Sequence, residues 1–275
     1  MTSIQHHHHH HHHHRDKRKQ KLKKIGSAFL IVVAALFFIF IIFAVFAPEN
    51  IDDIRDHLED LTQKEKPKPS RQAMLDYDGI DVSHHQKIID WERVAADTCV
   101  KFVYIKATEG STYIDSLYDI NIMGARSCGI PAGSYHYLTS ASAIKSQFAN
   151  FSSKAVAEMQ DLLPMIDVEE EGVKGWSREQ LQDSLALFVK LCENYYGKAP
   201  LIYSYSKFYN QYLAPTFNKY HLFIAKYSPS EPVVDGAGEH NLWQHNDQGI
   251  VDGIPTSVDL DMFAPTTTLQ DILLK

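Results

Sequence analysis

The stretch Pro164-Met165-Ile166-Asp167-Val168-Glu169 is an apolar run that ends in two carboxylates. A run of this kind predicts a β-strand, in which successive side chains point to opposite faces. Asp167 and Glu169 then point the same way, with their Cα atoms about 6.5 Å apart, and Val168 points the other way. Two like charges that close raise the pKa of at least one carboxyl group. The same pattern also fits a strand that runs out into an acidic loop, since two more glutamates follow.

Outward from this stretch, strand and helix patterns alternate. Strands are predicted at 79–83, 102–108, 132–138, 163–169 and 201–205, with helical patterns between them near 88–98, 115–127, 141–158 and 177–195. Spacings of about 25 to 35 residues between strands are typical of βαβ units and a parallel sheet. Three later strands, predicted at 222–227, 241–245 and 258–262, follow one another too closely for full crossover helices. The prediction is an α/β fold, a modified TIM-like barrel with five βα units followed by three β-strands with few helices.

Residues 25–47 form an uncharged apolar run, long enough as a helix to span a bilayer. Seven bases and one acid lie in residues 15–24, and six acids and one arginine lie in residues 49–60. The positive-inside rule therefore predicts a single-pass cell-membrane protein with a cytoplasmic N-terminus and an extracytoplasmic catalytic domain. A cleaved signal peptide is the competing interpretation, but the segment 45–48 matches a cleavage site only in part.

These patterns divide the chain into five predicted segments. They are a cytoplasmic His-rich and basic tail (1–24), a transmembrane helix (25–47), a linker (48–76), a catalytic domain (77–265) and a C-terminal tail (266–275). The nine consecutive histidines at 6–14 are either a purification tag or a natural metal-binding tract, and we assign them no function.

Charge and cysteine content narrow the classes of partner. The chain carries a net charge of −7, and residues 1–24 contribute seven bases and one acid, which leaves −13 for the rest. So acidic a domain is a poor nucleic-acid binder and suits a neutral or cationic polymer. We interpret Cys99, Cys128 and Cys192 mainly as small core residues, with a Cys99–Cys128 bridge as the alternative outside the cytoplasm.

Polar and aromatic side chains recur where the predicted strands end. They are Asp81, Ser83, His84, His85, Gln86, Lys106, Glu109, Tyr135, His136, Tyr137, Asp167, Glu169, Tyr203, Tyr205, Lys226, Tyr227, Trp243, Gln244, His245, Asp259 and Asp261. The active site of a βα barrel gathers at the carboxyl ends of its strands. Acids for chemistry and rings for stacking on pyranose faces are typical of a sugar groove, and a protonated carboxyl beside an ionised one suits glycosidic bond cleavage.

Eight short motifs occur in order along residues 77–263. They are Asp81-Val82-Ser83 with Gln86, Lys106-Ala107-Thr108-Glu109-Gly110, Gly133-Ser134-Tyr135-His136, Asp167-Val168-Glu169, Ile202-Tyr203-Ser204, Ala225-Lys226-Tyr227, Trp243-Gln244 and Val258-Asp259-Leu260-Asp261. This set resembles glycoside hydrolase family 25, the Chalaropsis-type lysozymes. The resemblance implies a flattened barrel and an N-acetylmuramidase, which hydrolyses the β-1,4 bond between N-acetylmuramic acid and N-acetylglucosamine in peptidoglycan.

The resemblance also implies roles for the acids. Glu169 matches the general acid, and Asp167 matches the partner that orients the substrate's N-acetyl group as an internal nucleophile. Asp81 and Asp259 match two further catalytic acids lining the cleft. Candidate substrate-binding residues are Tyr135, Tyr137, Lys106, Glu109, Tyr203, Tyr227, Trp243 and Gln244. In the alternative interpretation, the tyrosines fill the barrel interior, and Lys106 and Glu109 form a structural ion pair. No metal or other cofactor is expected.

Two positions depart from the family pattern. Phe223 stands where tryptophan is common, and Asp261 stands where asparagine is common. We expect the first to weaken one stacking contact and the second, a structural or rim residue, to add charge near the cleft edge.

Two other functions compete with the muramidase. A metal-dependent hydrolase has candidate ligands, namely Asp81, His84, His85, His136, Asp167 and Asp259, but the histidines lack the spacing of known metal motifs. A peptidoglycan-binding module without activity has no need of the Asp167/Glu169 pair. We expect His84 and His85 to be surface or hydrogen-bonding residues, and the protein to be a monomer that acts on peptidoglycan strands.

Overall fold

The structure, a computed structural model, describes residues 76–275. The predicted cytoplasmic tail, transmembrane helix and linker, apart from its last residue, lie outside these described residues. Between residues 76 and 275, no helix is both long and apolar enough to cross a membrane.

One mixed sheet organises the described part of the chain. Its strands are β1 Gly79–Val82, β2 Phe102–Glu109, β3 Tyr113–Ile114, β4 Ala132–Tyr137, β5 Met165–Asp167, β6 Leu201–Tyr205, β7 Leu222–Ala225, β8 Leu242–Gly249 and β9 Val258–Phe263. Its α-helices are α1 Trp91–Ala95, α2 Tyr118–Ser127, α3 Ile144–Lys154, α4 Arg178–Tyr196 and α5 Ser206–Phe208, which a π-helix, Tyr209–Leu213, continues. Three 3₁₀ turns lie at His84–Gln86, Ala157–Met159 and Leu269–Ile272.

The sheet closes into an eight-stranded barrel. Its order is β1-β9-β8-β7-β6-β5-β4-β2, β1 pairs with β2, and β3 is an antiparallel addition to β2. Neighbours from β1 round to β8 are parallel, whereas β9 runs antiparallel to both β8 and β1. The predicted fold of five βα units followed by three strands with few helices is confirmed. The reversed β9 places its first residues, rather than its last, at the end of the barrel where the parallel strands finish.

The strands read as nearly continuous apolar runs because both of their faces are covered. In β2, Phe102, Val103, Tyr104 and Ile105 are all fully buried, alternating between the barrel interior and the helix layer. Tyr104 crosses the interior, and its hydroxyl donates to the backbone oxygen of Leu163 at 3.1 Å. Gly133 makes room for that ring, since a Cβ there would lie 2.7 Å from it. This packed layer forms the floor beneath the end of the barrel where the carboxylates lie.

Helix α4 shows how local sequence sets the outer layer. It begins at a capping box, in which Ser177 and Gln180 satisfy each other's backbone N–H groups, and it ends at Gly197 in a left-handed conformation (φ 79°). Leu181, Leu185 and Phe188 recur at three- and four-residue spacing and are buried. Removing a side chain as large as Phe188 from such a layer costs about 3 to 5 kcal/mol of stability.

The C-terminal segment and the cysteines complete the core. Residues 266–275, predicted as a tail, pack on the barrel: Ile272 and Leu274 are buried, and the Ile272 carbonyl accepts a hydrogen bond from Leu163 N at 2.8 Å. Cys99, Cys128 and Cys192 are free thiols, so the alternative Cys99–Cys128 bridge is not formed.

Candidate active site

A pocket of about 130 Å³ opens at the carboxyl ends of the parallel strands. It is lined by Asp81, Tyr135, Met165, Asp167, Glu169, Tyr203, Tyr205, Tyr227, Gln244 and Asp259. The structure thus brings together all four predicted catalytic acids and half of the predicted substrate-binding residues, which are separated by up to 178 positions in the chain.

Asp167 and Glu169 face this pocket together because the chain stays extended past the end of β5. Val168, between them, is fully buried on the opposite side. Its N–H donates to the Tyr203 carbonyl at 3.0 Å, and its own carbonyl accepts from Ser204 Oγ at 2.8 Å. The regular strand ends at Asp167, two residues before the predicted end. The alternation of side chains nevertheless continues to Glu169, because these two bonds keep the chain extended.

The pocket raises the pKa of both members of this pair. For Asp167, which is only 7 % exposed, burial acts first and the neighbouring Glu169 second. Burial also raises the pKa of Glu169, while Lys106 and a hydrogen bond with Tyr137 oppose the rise. The pair therefore holds a proton at a pH where isolated carboxyl groups have lost theirs.

Asp81 is held by an amide from another strand. Gln244 Nε2 donates to Asp81 Oδ2 at 2.6 Å. The amide oxygen of Gln244 accepts from the hydroxyls of Tyr203 at 2.8 Å and Tyr227 at 2.7 Å. Burial and repulsion by Asp259 raise the pKa of Asp81, and the Gln244 hydrogen bond partly offsets them.

Asp259 completes the acid cluster. It is the Cα partner of Asp81 in the antiparallel β1–β9 ladder, so both side chains project to the same face of the sheet. Burial, followed by the charges of Asp247 and Glu169, raises the pKa of Asp259 to about 7. Four carboxyl groups with raised pKa values thus share one pocket.

Lys106, Glu109 and Tyr137 lie beside the pocket rather than in its lining. Lys106 Nζ donates to Glu109 Oε2 at 2.8 Å and sits 4.9 Å from the centroid of the Tyr137 ring. Tyr137 in turn bonds to Glu169. This arrangement brings one cation, paired with Glu109, close to the acid pair.

Trp243 and Phe223 do not reach the pocket. Trp243 alternates with the inward-facing Gln244 on β8, is 9 % exposed and donates from Nε1 to the Lys226 carbonyl at 2.8 Å. Its position does not support the predicted sugar platform. Phe223 is fully buried in the interior against Tyr104 and Tyr203. The prediction that it weakens a stacking contact with the sugar was therefore wrong.

Asp261 is a buried residue. We expected a structural or rim residue that adds charge near the cleft edge, and the rim position was wrong, because Asp261 is 0 % exposed. The reason is the direction of β9: because that strand runs down into the barrel, Asp261 lies two residues deeper than Asp259.

The histidines weighed as metal ligands are engaged elsewhere. His84 Nδ1 lies 2.7 Å from Asp115 Oδ2, and the ring of His85 packs against that of His84 at a tilt of 36°. His136 is buried between Thr108 Oγ1 (2.7 Å) and Gln147 Oε1 (3.2 Å). Across residues 76–275, no three His, Cys, Asp or Glu side chains are grouped as ligands for a metal ion.

Tyr205 was predicted to lie at a strand end but was not assigned to substrate binding, and Met165 was not predicted as a pocket residue; both line the pocket. Tyr205 is 39 % exposed, and its hydroxyl lies 3.5 Å from that of Tyr227. The signal was present, because each is two residues from an assigned site residue on its own strand, Tyr203 and Asp167.

A larger hollow of about 630 Å³ lies where β4 and β5 begin, at the opposite end of the barrel. Its charged side chains are Arg126 and Asp161, which pair at 2.9 Å. It offers no acid cluster, so the smaller pocket is the candidate active site.

Comparison with known proteins gives one consistent result. The family model of Glycosyl hydrolases family 25 matches residues 80–254. The uncharacterized protein YegX of Escherichia coli O157:H7 is 38 % identical over 192 residues, which cover 68 % of this chain and 70 % of YegX. An autolytic lysozyme of Clostridium acetobutylicum is 36 % identical over 186 residues, covering 68 % of this chain and 55 % of that one. The crystal structure of a bacterial lysozyme from Streptomyces coelicolor superposes with a TM-score of 0.63 at 28 % identity, covering 70 % of this chain and 94 % of that chain.

Proposed function

This chain belongs to glycosyl hydrolase family 25, and we propose on that basis that it hydrolyses the β-1,4 bond between N-acetylmuramic acid and N-acetylglucosamine in peptidoglycan. It is a glycoside hydrolase of the lysozyme type. The observation that carries the proposal is the Asp167/Glu169 pair, two carboxyl groups with raised pKa values on one side of a single pocket.

Glu169 acts as the general acid in this proposal. Its raised pKa keeps a proton available for the oxygen of the leaving sugar, and the bond with Tyr137 fixes the direction of the carboxyl group. Transfer of this proton as the glycosidic bond breaks avoids the release of an alkoxide.

Asp167 supports the opposite side of the reaction. It orients the N-acetyl group of the substrate, whose carbonyl oxygen attacks the anomeric carbon as the leaving group departs. Its charge stabilises the oxazolinium ion that forms, and Glu169, now ionised, activates the water that opens this ion.

The remaining acids and rings shape the cleft. Asp81, held by Gln244, and Asp259 present carboxyl groups to sugar hydroxyls and to the attacking water. Tyr135, Tyr203 and Tyr227 line the pocket with rings and hydroxyls suited to a pyranose. We assign Lys106, Glu109 and Tyr137 a supporting role beside Glu169.

The direct test is mass spectrometry of purified peptidoglycan after digestion with the full-length protein in detergent. We expect fragments with reducing muramic acid ends, and none from a Glu169→Gln control. Reducing glucosamine ends, or cleaved peptide stems with intact glycan, would contradict the proposal.

We further propose that residues 25–47 anchor a monomer in the cell membrane with its catalytic domain outside the cytoplasm. The support is the uncharged run and the excess of bases before it. The protein should stay with membranes in alkaline carbonate and sediment as a monomer in detergent, whereas Leu36→Lys should weaken its retention. A soluble mature form that begins near Pro48 would favour the signal-peptide interpretation, and a dimer in detergent would contradict the monomer.

A further inference from the structure

Asp261 lies just below the acid cluster, and the proposed mechanism does not use it. It is fully buried on β9, two residues below Asp259 on the same face of the strand. Neither of its carboxyl oxygens has a hydrogen-bond partner among the protein atoms of residues 76–275. A buried carboxylate without a partner is strongly unfavourable, so this geometry favours the neutral acid.

The groups around Asp261 favour the same state. Asp81 on β1 and Asp259 on β9 are acids that repel a negative charge at this position. Tyr104 on β2 is a neutral phenol, and its pKa is raised by burial and by Asp261. Gln244 on β8 is the direct Cα partner of Asp261 and carries no charge. With burial as the largest cause, the pKa of Asp261 lies well above its usual range.

Gln244 connects Asp261 to the active site. Its amide oxygen is occupied by two tyrosine hydroxyls, and its Nε2 donates to Asp81. An amide nitrogen carries two N–H groups, and Asp81 accepts from one of those of Gln244. An ionised Asp261 would be a strong acceptor for the other and would draw the amide nitrogen away from Asp81. A neutral Asp261 leaves the amide with Asp81.

We propose that Asp261 is a positioning residue that works as a neutral carboxylic acid, and that its ionisation withdraws Gln244 from Asp81 and switches the site off. The activity part of this proposal rests on the proposed function. It predicts that loss of activity at alkaline pH involves two ionisations, that of Glu169 as general acid and that of Asp261.

The test compares the full-length wild type with Asp261→Asn, which is neutral at every pH and nearly the same shape. Asp183→Asn, an exposed acid on α4, controls for net charge. On the alkaline side, log activity in cell-wall clearing should fall with a limiting slope of about −2 per pH unit in the wild type and the control, and about −1 in Asp261→Asn. The activity ratio of variant to wild type should then grow about tenfold per pH unit above the ionisation of Asp261. Equal limiting slopes would overturn the proposal.

Two further measurements do not depend on activity. The ¹³C carboxyl resonance that Asp261→Asn removes should keep its protonated shift through neutral pH, and titration near the ordinary pKa of about 4 would overturn the proposal. Relative to Asp261→Asn, the wild-type unfolding constant should rise up to about tenfold per pH unit above pH ~4, because the unfolded chain releases a proton that the fold retains. If Asp261→Asn does not fold, Asp261→Ser is the second neutral variant. If Asp261 retains its proton but neither the wild type nor any variant cleaves peptidoglycan, the proposed function is overturned, whereas the neutral state of Asp261 is supported.

Discussion

Gln244 on β8 donates a 2.6 Å hydrogen bond to Asp81 on β1, although β9 lies between these two strands in the sheet. The bond passes over β9 on the interior face of the sheet, so it depends on the curvature of the barrel wall. Tyr203 and Tyr227 both donate to the amide oxygen, which leaves the amide nitrogen directed at Asp81.

Gln244→Glu should impair catalysis because a carboxylate cannot donate to Asp81 and adds a fifth acidic group to the pocket. Hydrogen bonds to charged groups contribute about 1.5 to 3 kcal/mol, which predicts a loss in kcat/KM of roughly 10- to 100-fold. Gln248→Glu, an exposed position on the same strand, is the matched control and should keep its activity. Steady-state cell-wall clearing measures both, and equal rates for the two variants would contradict the role of Gln244.

Glu169→Gln should abolish turnover while the fold and glycan binding remain. Glutamine is nearly the same size and keeps hydrogen-bonding capacity, but it has no proton to give to the leaving oxygen. Positioned general acids contribute about 10² to 10⁴ in rate, which sets the expected loss. Glu171→Gln, at an exposed acid two residues further on, should leave the rate unchanged. Circular dichroism and pull-down on insoluble cell walls check folding and binding, and near wild-type clearing by Glu169→Gln would sink the mechanism.

Asp167→Asn should lower kcat severely and also shift the pH profile. Asparagine removes the negative charge that stabilises the oxazolinium ion. It also removes the charge coupled to Glu169, so the pKa of Glu169 should fall and the alkaline limb should move to lower pH. The residual activity, followed as kcat/KM against pH, gives the direction. A limb that stays in place or moves to higher pH would show that the two carboxyl groups do not interact.

His136 should make the fold sensitive to acid. Burial lowers the pKa of His136 to about 4 from its ordinary 6.5. Between those values the unfolded chain binds a proton that the folded chain does not, so stability is complete above pH 6.5 and is lost as the pH falls toward 4, by up to about 3 kcal/mol. His136→Gln retains a side chain that can bond Thr108 and Gln147, and it should lose this dependence. Urea unfolding at pH 4.5 and 7 measures the difference, with exposed His85→Gln as control, and parallel curves for all three proteins would refute the expectation.

Chelation should leave activity unchanged. The reacting groups in the proposal are carboxyl groups. Of the histidines weighed as ligands, His84 bonds to Asp115, and His136 bonds to Thr108 and Gln147. Clearing rates of dialysed protein with and without EDTA measure this. Loss of activity that zinc restores would contradict the proposal and favour a metal-dependent hydrolase.

Much of the fold was predictable because its signals are local. Apolar runs separated by about 25 to 35 residues predicted the βα units. The shorter spacings after the fifth strand predicted strands without crossover helices between them. The orientation of Asp167 and Glu169 followed from the two-residue period alone. The same period places Tyr205 on the face of Tyr203, so its position in the pocket was also predictable from the sequence.

The sequence by itself determined the order of the elements and which side chains share a face of their own strand, because both follow from backbone geometry within a few residues. Only the tertiary structure decided which face is the interior and which way a strand runs. Those choices placed Trp243 outside the pocket, Gln244 against Asp81, and Asp261 below Asp259 on an antiparallel strand. They depend on pairing between residues far apart in the chain and on closure of the barrel by β1 and β2, and no local pattern encodes that closure.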